Sequence, residues 1–326
     1  MNLSTVFHKT RIFSVTIGLF LSVIASDNLL EGTLLNPEKS KIPQLQRRSK
    51  LEILQMLVES KRWDQAERVA TKLIRKSAKN GELFMLAGLI QFQKVNYEKA
   101  IPLFRKAEVL RPDFQHLSKY LAICYFGIKQ HALFELQIEK AMIQTPMDPE
   151  LSFFWGLHQS LVRKNLDKAI KSFDHAITLR PQYMQALYHR GLSFQKKGLR
   201  EKARADFQKS ITLIEQTFFR GYSYPYQGMA RLLAEETPKQ ALRFAIRSTE
   251  LQPQLKNNHI IVGEIHWRLG QFKEAAEAFK HASLLDPSDR RPFYWLHLLY
   301  QKLGEKQKSK LALIEFHRLN KPANLK

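Results

Sequence analysis

Helix-ending prolines recur along this chain at Pro112, Pro146, Pro181, Pro253 and Pro287, at steps of 34, 35, 72 and 34 residues. Small residues keep the same rhythm at Ala66, Ala100, Ala169, Ala203, Ala241 and Ala275, with Phe134 in the vacant place. Phe104, Phe173, Phe207 and Phe279 each follow one of those alanines by four residues, one turn along the same helical face. A fixed period of this length restricts the chain to repeat architectures, in which each unit buries its apolar face against its neighbours. The unit reads most clearly from His259 to Pro287. Its first half carries Ile260, Ile261, Val262, Ile265, Trp267 and Leu269 at helical spacing, and Gly270 interrupts the pattern. A second helical pattern runs through Phe272, Ala275, Ala276, Phe279 and Ala282 and stops at Asp286-Pro287. This predicts a helical hairpin in which Gly263 lies opposite Ala275, with Phe272 and Phe279 filling space at either end.

The entry to the second helix also repeats, as RWDQA, NYEKA, NLDKA, LREKA and QFKEA. With the period, these positions resemble the tetratricopeptide repeat (TPR) family. The resemblance implies an all-α, right-handed superhelical solenoid of about eight helix–turn–helix hairpins. Laid end to end from Arg47, the units are 47–80, 81–114, 115–149, 150–183, 184–221, 222–255, 256–289 and 290–320, with 321–326 as a tail. The surplus over a strict period is one residue near Pro149 and four between Thr217 and Gly221. The terminal units are atypical, as units with one face in water should be.

In this family the first helices line a concave face. On that register the face would carry Leu51, Met85, Lys119, Phe154, Tyr188, Tyr226, Ile260 and Tyr294. One or two turns further along come Phe92, His158, Leu192, Gln195, Trp267, Arg268, Gln301 and Lys302. The Lys/Asn set with which some members grip a terminal carboxylate is absent, since Lys119 is the only lysine in the first series. An aromatic groove with a few cations is expected instead. Its candidate partner-binding residues are Phe154, Tyr188, Tyr226, Ile260, Trp267, Arg268, Tyr294 and Lys302. Tyr and Trp join an apolar body to a polar tip, which suits the binding of a protein segment. The alternative is that some of these rings pack against the adjacent first helix.

Lys and Arg outnumber Asp and Glu by 52 to 30, giving a net charge of +22. Lys72, Arg75, Lys76 and Lys79 share one second helix, and Lys196, Lys197, Arg200, Lys202 and Arg204 cluster about one turn. They form either a solvated face or a surface for an acidic protein or anionic lipid. A single cysteine, Cys124, lies in an apolar helix and reads as a buried thiol. His259 and His266 are two turns apart rather than one, so no metal or other cofactor is expected. No phosphate loop or nucleophile elbow is present, and the chain reads as non-catalytic.

Lys9 and Arg11 precede an apolar run, Ile12–Ala25, ending Val-Ile-Ala before Ser26. Residues 1–25 therefore resemble a secretory signal peptide, with an uncleaved short anchor as the alternative. Either reading places the rest of the chain beyond the cytoplasmic membrane and disfavours nucleic acid as a partner. Residues 26–46 read as a flexible leader. The stretch Phe218–Tyr226 holds five aromatic residues in nine. It is either an exposed recognition loop or a segment folded over the seam between units. The function expected is an exported protein-interaction scaffold binding a segment in its groove. The alternative is a basic adaptor docking on an anionic envelope surface or an acidic partner.

Overall fold

The computed structural model describes residues 49–77, 79–114, 116–217 and 221–320. The segments expected to be an export signal and a leader, Phe218–Arg220 and the tail lie outside these residues. Among the described residues the chain is all-α, sixteen helices without a strand. They form hairpins: α1 (Lys50–Glu59) with α2 (Trp63–Ile74), α3 (Gly81–Gln93) with α4 (Tyr97–Leu110), α5 (Leu117–Gly127) with α6 (His131–Gln144), and α7 (Pro149–Leu161) with α8 (Leu166–Leu179). The rest are α9 (Met184–Lys196) with α10 (Arg200–Thr217), α11 (Tyr224–Leu233) with α12 (Pro238–Leu251), α13 (Lys256–Arg268) with α14 (Phe272–Leu285), and α15 (Arg290–Lys302) with α16 (Lys306–Asn320). Each hairpin falls within one interval of the sequence period. Two compact units divide the chain, one through Phe154 and one from Trp155.

Local signals set the helix ends. Ser49 and Glu52 form a reciprocal capping box at the start of α1. The side chains of Asn80, Asn165 and Asp289 accept hydrogen bonds from the backbone N–H groups of Leu83, Lys168 and Arg291. Seven of the eight hairpin turns contain one residue of left-handed backbone: Lys61, Val95, Lys129, Lys164, Gly198, Gly270 and Gly304, with φ from 57° to 76°. The turn between α11 and α12 passes instead through Thr237 at φ −135°, and Pro238 opens α12 at a position that needs no N–H.

Ala66, Ala100, Ala169, Ala203, Ala241 and Ala275 are fully buried, as are Phe104, Phe134, Phe173, Phe207 and Phe279. Glycines in the first helices receive four of those rings. A Cβ added at Gly88 would stand 2.5 Å from the Phe104 ring. At Gly156 it would stand 2.6 Å from Phe173, at Gly191 2.7 Å from Phe207, and at Gly263 2.8 Å from Phe279. Gly263 thus faces Phe279 rather than Ala275: the ring lies flat on the backbone that the missing side chain uncovers.

Of the aromatic stretch, Gly221 to Tyr226 lie among the described residues. Tyr222, Tyr224 and Tyr226 are buried, so this part folds over the seam and is no exposed loop. Helix α10 is 18 residues long where α8 and α12 have 14, so the four-residue surplus extends a helix. The neighbouring seam is closed by polar groups. The Asn258 side-chain amide donates to the Ser248 and Gln252 carbonyls at 2.7 and 2.8 Å, and its oxygen accepts from Gln227 at 2.7 Å. This gives a second donor to two carbonyls at the end of α12 that already accept the Gln252 and Leu255 N–H groups.

Gly263→Leu should therefore push the Phe279 ring out of its seat and lower unfolding free energy by about 1–3 kcal/mol. Chemical denaturation measures this, and an unchanged midpoint would refute the ring-on-glycine contact.

Candidate protein-interaction face

The structure separates the eight candidate residues into two groups. Phe154, Tyr188, Tyr226 and Ile260 are between 1% and 4% exposed and belong to the core. Phe154 meets Phe126 at 6.0 Å and Phe153 at 5.5 Å. Tyr188 is surrounded by Phe207, Tyr222 and Tyr224, with ring centroids 5.9, 6.1 and 5.9 Å away. Tyr226 donates its hydroxyl hydrogen to Glu215 at 3.0 Å, on the extension of α10. Burial, then Glu215, push the Tyr226 phenol up to about 12. Ile260 packs with Ala275, Phe279, Leu296 and Leu299. An aromatic ladder open to a ligand is thereby corrected to a set of seam-filling side chains, the alternative that the residue types also allowed. Lys119, the one lysine of the same register, is 1% exposed and holds Asp148 at 2.6 Å and Glu150 at 2.7 Å. Met85, Phe92 and His158 are buried too.

The second group stays open. Tyr294 is 45% exposed, Arg268 and Lys302 are exposed, and Trp267 is half-buried. Tyr294 leans on Phe316 at 5.5 Å and on Trp295 at 6.1 Å. Trp267 meets Trp295 at 5.4 Å and Phe272 at 5.3 Å, so its indole backs the Trp295 ring on which Tyr294 leans. The electrostatics centre on Glu264 of α13, a half-buried carboxylate in the field of Arg231, Arg291 and Arg268. Burial raises the Glu264 pKa, and the three guanidinium groups oppose that rise. Arg291 is anchored on Asp289 at 2.6 Å and Asn257 at 3.1 Å, while Arg268 lies 3.9 Å from Glu235. Arg231 on α11 and Arg291 on α15, the first helices before and after α13, escaped the sequence register because it sampled two positions per helix. Sampling one turn to either side would have found them.

Other candidates are structural. His259 bonds the Pro253 carbonyl at 2.8 Å and stacks on His281, and His266 bonds Gln271 at 2.7 Å. Among the described residues no three His, Cys, Asp or Glu side chains group as metal ligands. Cys124 is fully buried, and burial pushes its thiol well up. In the second basic cluster, Lys197 pairs with Asp167, Arg200 with Glu236 at 3.0 Å, and Lys202 lies over the Phe194 ring. Lys72, Arg75, Lys76 and Lys79 are exposed, but only Lys72 lies in α2, which ends at Ile74, so the four do not share one helix.

Stacked hairpins with a half-open, basic and aromatic face define a helical-repeat protein. Family models described as tetratricopeptide repeat match residues 55–113, 185–217 and 259–289. The chain carries tetratricopeptide repeats, which support a role as a scaffold for protein interaction. No curated protein matches the sequence. Solved structures with a similar fold include the APC/C hetero-tetramer Cut9–Hcn1, at a TM-score of 0.61 and 14% identity over 85% of this chain and 54% of that one. A tetratricopeptide repeat protein from Parabacteroides merdae gives 0.59 and 18% identity over 77% and 97%. Yeast Tom70 gives 0.57 and 14% over 97% and 73%.

Two measurements test the core assignments. Tyr188→Ala should cost about 3–5 kcal/mol of stability, as truncation of a buried ring does. A melting temperature unchanged from the parent would return Tyr188 to the surface. His189 lies against Tyr188 at 5.0 Å, and burial lowers its pKa to about 3 from an ordinary 6.5. The unfolded chain then takes up this proton first. The contribution is complete above pH 6.5 and lost as pH falls toward 3, at up to about 1.4 kcal/mol per pH unit. His189→Gln should flatten the dependence of urea stability between pH 6.5 and 4.5, and equal slopes would contradict a buried neutral imidazole.

Proposed function

We propose that the chain is a protein-interaction scaffold, working beyond the cytoplasmic membrane, whose α11, α13 and α15 face takes an acidic protein segment. The supporting observation is the gathering of Arg231, Arg268 and Arg291 about the single half-buried carboxylate of Glu264. Lys302 and the open Tyr294 ring lie further along α15. Acidic side chains of the segment meet the guanidinium groups, whose planar donors pair with carboxylates in bidentate fashion. An apolar residue of the segment covers Tyr294. The aromatic groove of eight residues is narrowed here to Trp267, Arg268, Tyr294 and Lys302, joined by Arg231 and Arg291. Export rests on Lys9, Arg11 and the apolar run 12–25. N-terminal sequencing of the native protein should then begin near Ser26.

A fluorescent peptide rich in Glu and Asp with spaced leucines tests the face by anisotropy. Arg231→Glu with Arg268→Glu should weaken binding at least about tenfold, or about 1.4 kcal/mol. Raising salt from about 0.05 M to about 0.3 M should weaken the parent more than the variant. Equal affinity of parent and variant would overturn the assignment. Charge reversal at Lys72, Arg75, Lys76 and Lys79 serves as the control. Loss of binding there instead would favour a basic adaptor that docks through the end of α2 and the turn after it.

A further inference from the structure

The second helix of the third hairpin has an outer side unlike that of other second helices. Helix α6 buries Phe134, Gln137, Ile138 and Ala141, with Phe134 on Phe126 of α5 at 5.1 Å. The opposite side of such a helix meets water and is normally polar. In α8 it carries Lys168 and Lys171, and in α14 Glu274 and Glu277, all four exposed. At the same two places α6 has Leu133 and Leu136, and Ile143 and Met147 continue the stripe into the turn after the helix. These four are between 37% and 83% exposed. With Lys140 among them they recur at alternating steps of three and four residues, the spacing of a seam between two helices. Glu108 of α4 reaches Lys140 at 3.1 Å, and the next residue, Val109, is exposed as well. A contiguous apolar surface of this kind marks a site of association.

We propose that this side of α6 is the seam of a dimer, occupied by the same side of a second copy of this chain that runs antiparallel across a two-fold axis. The chemistry of the stripe reads alike from both ends. With the axis between Glu139 and Lys140, Leu136 comes opposite Ile143 of the second copy, Leu133 opposite Pro146, and Ala132 opposite Met147. Glu139 then faces Lys140 of the second copy and Lys140 faces its Glu139, so the central charges pair twice. All eight of these residues are exposed in the single chain. A two-fold interface demands such self-complementarity, because one patch meets itself. Parallel pairing in register would set Lys140 on Lys140 and Glu139 on Glu139, and like charges oppose it. A lipid surface would bury the Glu139 carboxylate with nothing to pair it. A second copy satisfies the apolar and the charged positions together. The helix has 14 residues and is about 21 Å long, so the interface is a small one of the reversible class. Dimerisation doubles whatever the scaffold binds, and a divalent partner is thereby held more tightly than a monovalent one. The seam lies in the amino-terminal unit and does not rest on the acidic-segment face of α11, α13 and α15.

Sedimentation equilibrium of the full chain should show a reversible monomer–dimer equilibrium. Leu136→Asp with Ile143→Asp should weaken it at least about tenfold while helical circular dichroism is kept, since both side chains are exposed in the single chain. Glu139→Lys should also weaken it at least about tenfold, by setting like charges opposite each other. Adding Lys140→Glu to that variant restores opposite charges across the axis and should return the dimer to within about threefold of the parent. Direction is read by mild oxidation of Leu136→Cys chains mixed with Ile143→Cys chains. The mixture should give more disulfide-linked dimer than either variant alone, with the buried Cys124 taking no part. A chain that stays monomeric would overturn the proposal and leave the stripe to a different partner. A dimer that the paired Asp substitutions leave unchanged would overturn it by placing the contact elsewhere. Absence of rescue by the charge swap, or self-linkage of Leu136→Cys above that of the mixture, would overturn the antiparallel register and the proposal with it.

Discussion

The contact on which the repeat depends is an aromatic ring laid on a bare stretch of helical backbone. Gly88, Gly156, Gly191 and Gly263 let Phe104, Phe173, Phe207 and Phe279 approach to distances that a Cβ would forbid. The gain is dispersion and burial over a whole ring face, which helices held apart by a methyl group would lose. Fully buried alanines one turn earlier extend the close approach along the second helix. Four of the eight hairpins are closed in this way, so in them the repeat is both the unit of sequence and the unit of packing.

This explains which features were legible in the sequence. Prolines, alanines and phenylalanines at a fixed period report backbone constraints and close contacts, which vary little from unit to unit. Hairpin order and the buried second-helix face follow from them. The fate of Phe154, Tyr188, Tyr226 and Ile260 does not, because a register position does not say what stands over it. Tyr188 is enclosed by Tyr222 and Tyr224, which arrive from a four-residue departure from the period, and Tyr226 by the extended end of α10. Tyr294, in the atypical last unit, is 45% exposed.

The charge of +22 likewise distributes in a way that composition hides. Part of it is consumed within the fold. Lys119 is buried between two carboxylates, Arg190 spans Asp174 at 2.7 Å and Asp206 at 2.6 Å, and Lys256 pairs with Asp286 and Asp289. Such buried or half-buried ions fix register more than they add stability, because desolvation offsets most of the attraction. The cations of α11, α13 and α15 are of a different kind, held in place by a few acidic neighbours yet open to solvent.

The hairpin turns carry a further consequence, in proteolysis and the order of opening. The first four place lysine or valine in left-handed backbone, at Lys61, Val95, Lys129 and Lys164, whereas three later turns use glycine at the same point. A side chain there costs about 1–2 kcal/mol that glycine does not. The early turns are accordingly the ones that gain most by springing open. Three of them display an exposed lysine at the tip, in the bond geometry a trypsin-like protease must unwind to cut. Limited digestion would nick this molecule first between the two helices of an early hairpin, leaving the glycine-turned hairpins at the other end intact.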